Sequence, residues 1–229
     1  MAVRVEYRDL GRVPYAACWE YQRELFDTLL QRKGGEALAE EAGWILFVEH
    51  PAVYTLGKSG HRENMLIPES YLRNLGAEFF HIDRGGDITF HGEGQIVGYP
   101  ILDLEQIGIG LRGYIEALEE AVIATIAHYG IPGGRVEGAS GVWINDEKRP
   151  LRKICAIGVR SSRYVTMHGF ALNVSTDLKW FQYINPCGFS DRGVTSIEKE
   201  CGHAVSMEEV KSLLLTNLEK ILKIEIYKK

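Results

Sequence analysis

The sequence predicts an α+β (α/β) protein, a mixed β-sheet with flanking helices, folded as one domain over residues 1–229. Three observations carry this. Short β-rich runs (GVWIN, KICAIGVR, VTMHGFALNV) succeed one another between residues 141 and 174 rather than alternating with helices, as a doubly wound sheet would require. Two amphipathic stripes, one on either side of these runs, need an apolar surface to lie against. With 229 residues, folding should reduce the accessible surface from ~37,400 to ~10,500 Å², so that roughly 70% is buried. That supports a core without staples.

The elements follow in order. Residues 2–7 read as an opening strand. Cys18, Tyr21, Leu25 and Leu29 recur at helical spacing within residues 15–33, and Gly34-Gly35 stops that helix. WILFVEH, residues 44–50, is a short apolar run that suits a buried strand, and residues 57–64 are loop. Residues 79–83 and 95–104 read as strands flanking a Gly-rich turn, RGGDITFHGEG. Leu111, Tyr114, Ile115, Leu118, Val122, Ile126 and Tyr129 form the first clear stripe, closed by Gly130 and Pro132. The second stripe runs through Val210, Leu213, Leu214, Leu218, Ile221 and Leu222. It follows an N-cap at Ser206 and acids Glu208 and Glu209 in the first turn.

Composition narrows the function. Hydrophobic residues make up 45% and charged residues 25%, which excludes a disordered chain. A net charge of −5 disfavours nucleic acid as a partner, because phosphate neutralisation needs a basic excess. There is no apolar run of ~18 residues to span a membrane and no signal-peptide core, so a cytoplasmic location is expected. The histidines lack metal-ligand spacing, no P-loop is present, and no metal site is indicated. Gly108-Ile109-Gly110-Leu111-Arg112-Gly113 fits G-x-G-x-x-G, yet it follows Glu105-Gln106 rather than a strand end and reads as a helix entry.

The four cysteines form no C-x-x-C and are expected to be free thiols. Cys18 on a helix stripe and Cys155 inside KICAIGV read as core. Cys201 neighbours His203, but one loop rarely orients an imidazole on a thiolate. Cys187 lies in NPCGF, a turn made by Pro186 and Gly188. Such a turn can hold a thiolate beside exposed backbone N–H groups, and equally it can be purely structural. Spacing alone does not decide between the two.

Two further clusters stand out. In residues 84–95 the glycines allow close backbone approach, while Arg84, Thr89, His91 and Gln95 supply polar groups, which favours a ligand-binding wall over a bare hairpin. The basic run Lys148-Arg149-Pro150-Leu151-Arg152-Lys153 abuts the strand at 154–159, which places Lys153 on a rigid element.

RGGDITFHGEGQ, KICAIGVR, HGFALNV and NPCG, in this order, resemble the octanoyltransferases of lipoate biosynthesis over residues 44–196. The resemblance implies the catalytic-domain fold of biotin and lipoate protein ligases. It implies transfer of an octanoyl group from octanoyl-acyl carrier protein to a lysine of lipoyl domains, those of 2-oxoacid dehydrogenase complexes and the glycine cleavage H protein. Cys187 matches the family's thioester nucleophile and Lys153 its partner lysine. Arg84, Gly85, Gly86, Asp87, Ile88, Thr89, Phe90 and His91 match its acyl-binding segments, as do Ala156, Ile157 and Gly158 and also Gly169, Phe170 and Ala171. No cofactor is implied, because a thioester is already activated. Glu93 stands where the family commonly has proline, and KRPL lengthens the hairpin before Arg152. Since carrier proteins are acidic, a basic docking patch is expected from Arg149, Arg152, Arg160 and Arg163.

Overall fold

In the computed structural model, residues 3–33, 41–146, 149–185 and 192–229 are described. The chain opens with β1 (Val3–Arg12), α1 (Tyr15–Arg32), β2 (Glu41–Glu49) and β3 (Val53–Leu56). Then come α2 (Glu69–Asn74), β4 (Glu78–His81), β5 (Ile88–His91) and β6 (Gln95–Leu102). A short α3 (Leu104–Ile107) precedes α4 (Leu111–Ala127), and β7 (Gly133–Val136), β8 (Ala139–Asp146), β9 (Arg149–Ser162) and β10 (Val165–Asn173) form the consecutive run of strands. A 3₁₀ turn (Leu178–Tyr183) leads on to β11 (Gly193–Val194), α5 (Ile197–Cys201), α6 (Met207–Leu222) and β12 (Ile224–Lys228).

The large sheet has the order β12-β1-β2-β6-β10-β9-β8-β7, with β11 beside β9. It is mixed: β1 runs parallel to β12 and β2, while the neighbours from β2 to β7 are antiparallel. The expected α+β architecture is thus observed. One face buries Ile45, Phe47, Ile96, Phe170 and Leu172 against Leu118 and Val122 of α4 and Leu214 and Leu218 of α6. The other face packs Leu46, Val48, Val97, Tyr99 and Ala171 against Cys18, Leu25, Phe26 and Leu29 of α1. A second small sheet, β4-β3-β5, closes its own core around Tyr54, Leu72 and Phe90.

Several sequence expectations shift. The opening strand continues to Arg12. The stretch read as a single Gly-rich turn contains β5, whose four residues alternate: Ile88 and Phe90 enter the small core, while Thr89 and His91 face the opposite way. Glycines at both ends hide that alternation in the sequence. The G-x-G-x-x-G segment links two helices: Gly108 ends α3 in the left-handed conformation and Gly110 caps α4. Ser206 caps α6 as expected, accepting from the Glu209 N–H at 3.4 Å. Gly34 and Gly35 lie outside the described residues.

Candidate active site

Between the large sheet, the small sheet and α1 lies a cavity of about 600 Å³. Its floor comes from alternate residues of paired strands. Gln95, Val97 and Tyr99 of β6 sit beside Asn173, Ala171 and Gly169 of β10, with Asn173 opposite Gln95 and Ala171 opposite Val97. From Gly169 to Asn173 this floor is about 13 Å long at ~3.3 Å per residue. Beyond the Val142–Cys155 rung β8 leaves β9, and Gly138, Ala139 and Ser140 border the opening that results. There Ile157 and Phe170, with Leu111 and Ile115 of α4, add lining from the other face of the sheet.

The loop at 84–87 is shaped by one buried side chain. Arg84 Nη2 donates to the Thr55 carbonyl (2.7 Å), the Thr55 hydroxyl (3.0 Å) and the Asp87 carbonyl (2.8 Å), and its Nη1 donates to the Gly85 carbonyl (2.9 Å). The Gly85 N–H then donates to the Val159 carbonyl at 2.9 Å, seating the loop on β9. Asp87 braces the preceding loop, accepting from the N–H groups of His61 and Ile88 and from the Asn64 amide. Gly158 and Gly169 face each other in the ladder. A Cβ on Gly158 would lie 2.7 Å from the Gly85 oxygen, and one on Gly169 2.2 Å from the Gly98 oxygen. Both positions therefore need glycine for close approach.

The wall beside the small sheet carries His91, with His50 packed behind it. His91 donates from Nδ1 to Gln95 Oε1 at 2.9 Å, since the Gln95 amide nitrogen is committed to Phe90 O and Asn173 Oδ1. Its Nε2 faces the Thr55 hydroxyl at 3.3 Å. Burial, with His50 close by, pushes His91 down to about 3, and burial alone outweighs the Val13 contact to push His50 to about 4. Farther along, His168 adopts φ 60 and donates from Nε2 to Asp83 at 2.9 Å. That bond, with the electrostatic pull of His168 and then of Arg160, holds Asp83 at about 2 against the opposing effect of burial, while burial keeps the His168 value low.

Lys153 lines the cavity from β9, its Nζ 4.5 Å from the centre of the Trp143 ring. The Lys153 carbonyl accepts from the Thr195 N–H at 2.9 Å, and Lys153 pairs with Val194 of β11. Cys187 lies outside the described residues. Both sides of its segment are anchored: Asn185 N–H donates to Asn64 O at 2.8 Å, and Gly193 and Val194 pair with β9. Phe181 on one side and Val194 on the other line the same cavity as Lys153.

Of the residues expected to bind the acyl group, Arg84 to Thr89, His91, Ala156 to Gly158 and Gly169 to Ala171 all border this cavity. Phe90 does not. It points into the small core, stacked on Trp180 at 5.3 Å. Of the four arginines expected in a basic patch, Arg149 and Arg163 are exposed and Arg160 is half-buried. Arg152 is buried, with Nε and Nη2 on the Glu200 carboxylate at 2.7 Å, and Arg149 pairs with Glu200 and Asp146. Arg160 pairs with Asp83, and Arg163 donates to the Leu30 carbonyl. These charges hold the protein's own elements together. Cys18 and Cys155 are buried as read, and burial pushes the Cys18 thiol up to about 12. Cys201 donates weakly to main-chain carbonyls, while His203 turns its Nδ1 to Ala204 O. No motif marks Tyr15 or Tyr99, and His168 opens HGFALNV without a role of its own in that pattern. Their signal is tertiary, because each reaches the cavity from a different element.

A family model for the lipoyl protein ligase A/B catalytic domain matches residues 14–219. An octanoyltransferase of Bacteroides fragilis is 56% identical over 207 residues, which are 90% of this chain and 92% of that protein. One of Flavobacterium johnsoniae is 49% identical over 231 residues, 99% and 100% of the two chains. Among solved structures, a bipartite lipoate protein ligase from Thermoplasma acidophilum, studied with its E2 lipoyl domain, shares the fold. Its TM-score is 0.72 at 16% identity, covering all of this chain and 87% of that one. Sequence, fold and cavity therefore converge: the chain belongs to the lipoyl protein ligase A/B catalytic domain family and, within it, to the octanoyltransferases.

Proposed function

We propose that this protein moves an octanoyl group from octanoyl-acyl carrier protein to a lysine of lipoyl domains through a thioester on Cys187, acting as one catalytic domain. A single observation carries the reading. Lys153 opens into the cavity formed by the expected acyl-binding segments, and residues on both sides of the Cys187 segment line that cavity too. An eight-carbon chain, seven C–C bonds of about 1.5 Å in zigzag, reaches roughly 9 Å. It fits within the floor between Gly169 and Asn173, on the apolar surface of Val97, Tyr99 and Ala171.

The chemistry balances without an external activator. The Cys187 thiolate attacks the thioester carbonyl, and the carrier's thiolate leaves and takes up a proton. The acceptor lysine, having lost its ammonium proton to water, attacks the new thioester as a neutral amine; its nitrogen gives up a second proton to the neutral Lys153 amine as the amide forms, and the Cys187 thiolate leaves. Exchange between two thioesters is nearly isoenergetic, and splitting the transfer lets one protein substrate depart before the next arrives. Lys153 serves both halves: its ammonium beside the sulfur favours the thiolate, and it is the group that moves protons. Burial keeps the His91 imidazole neutral where it meets the cavity, which suits an acyl chain there. Intact-mass analysis after incubation with octanoyl carrier protein and no ATP should show an eight-carbon adduct that Cys187→Ser abolishes. An adduct that survives this change moves the nucleophile elsewhere. Activity that needs ATP and free acid assigns a ligase reaction instead.

A further inference from the structure

Thr195 follows β11 directly, is fully buried, and is not among the residues lining the cavity. Three of its polar groups are held by three different elements. Its N–H donates to the Lys153 carbonyl of β9 at 2.9 Å. Its carbonyl accepts from Asn173 Nδ2 of β10 at 3.0 Å. Its hydroxyl donates to Glu200 Oε1 of α5. Each tie is backed by another. Asn173 Oδ1 accepts from Gln95 Nε2 at 2.8 Å, which joins it to His91. Glu200 is gripped by Arg152, the residue that pairs with Gly193 and precedes Lys153.

We propose that Thr195 is a positioning residue for the transfer: through its hydroxyl bond to Glu200 it sets the register of β11 against the Lys153 strand. The inference rests on the Cys187–Lys153 reading above. β11 contributes only two paired residues, too few to fix a register through their own ladder. The side-chain ties at Thr195 supply what the ladder lacks. Removing the hydroxyl leaves Glu200 Oε1 still accepting from Arg152 Nε, so no buried acceptor is orphaned. The fold should therefore tolerate the loss better than the geometry of the site does.

The test compares Thr195→Val, Thr195→Ala and Thr195→Ser with the unaltered protein. The readouts are steady-state transfer from octanoyl carrier protein, intact mass of the acyl-enzyme, and the pH profile of iodoacetamide alkylation at Cys187. Thr195→Val should lower kcat about tenfold or more, as small misplacements of reacting groups do. KM should stay within about twofold, because no lining residue changes. Its alkylation profile should move to higher pH as the sulfur and the ammonium lose their alignment. Thr195→Ser should restore most of kcat and the original profile. Thr195→Ala, which removes the same hydroxyl without burying a new methyl in its place, should act in the same direction and decides the matter if Thr195→Val does not fold. Native kcat and an unmoved alkylation profile in folded Thr195→Val or Thr195→Ala overturn the proposal. If the unaltered protein forms no adduct on Cys187, the reading beneath it fails instead, and the two failures are told apart by that first measurement.

Discussion

Replacing Gly158 by alanine adds a single methyl group at the point where the 84–87 loop meets β9. The new Cβ would stand 2.7 Å from the Gly85 carbonyl oxygen and 3.1 Å from Arg84 Cδ, whereas ordinary contact begins at 3.4 Å. Gly85 must therefore retreat by about 0.7 Å, an overpacking of the kind that costs about 1–3 kcal/mol. The retreat is opposed on two sides, since Gly85 N–H is bonded to Val159 O and Gly85 O to Arg84 Nη1. Gly158 does not occupy the left-handed region, so steric contact is the whole perturbation. On the proposed function, a displaced cavity wall should lower kcat/KM by about tenfold to a hundredfold. Urea denaturation followed by circular dichroism measures the first quantity, and octanoyl-transfer kinetics the second. Gly134→Ala, with open space around its Cβ, is the control. A Gly158→Ala protein with unchanged stability and kinetics would refute the claim that the loop is seated against β9.

Three other perturbations have expected outcomes. Lys153→Met keeps the length of the side chain and removes its charge. It should lower kcat by about 10²–10⁴, the usual contribution of a positioned proton-transfer group, with little change in stability; near-native kcat would remove Lys153 from the chemistry. Gly113 lies on the exposed first turn of α4 with nothing near its Cβ, so Gly113→Ala should stabilise by about 0.5–1 kcal/mol, read as a raised Tm; a lowered Tm contradicts this. His50 and His91 have folded values near 4 and 3, below the ordinary value, so the unfolded chain binds their protons first as pH falls. Their contribution is complete above pH ~6.5 and is lost below it at about 1.4 kcal/mol per pH unit for each histidine. Unfolding free energies measured at pH 7 and pH 5 should differ accordingly, and equal values would show that these imidazoles are not buried neutral.

Much of the scaffold was legible because helices and strands write their periodicity into the chain. The stripe on α4, the cap at Ser206, the burial of Cys18 and Cys155 and the succession of strands after residue 141 all follow from local pattern. Legibility failed where a neighbour distant in sequence decides. Arg152 looks like a surface cation in KRPLRK, yet Glu200, 48 residues away, draws it inward. Phe90 shares a motif with His91 but leaves the cavity, because adjacent strand residues face opposite sides. Thr195 carries no motif of its own, and its importance appears only where β9, β10 and α5 meet.

Side-chain type and spacing along the chain are enough to give the α+β class, the order of the motifs and the family they resemble. The tertiary structure decided which of those side chains share a cavity and which are spent on holding the walls. Sheet order does this, because it brings β9 between β8 and β10 and lays β11 beside Lys153, across separations that no local periodicity records.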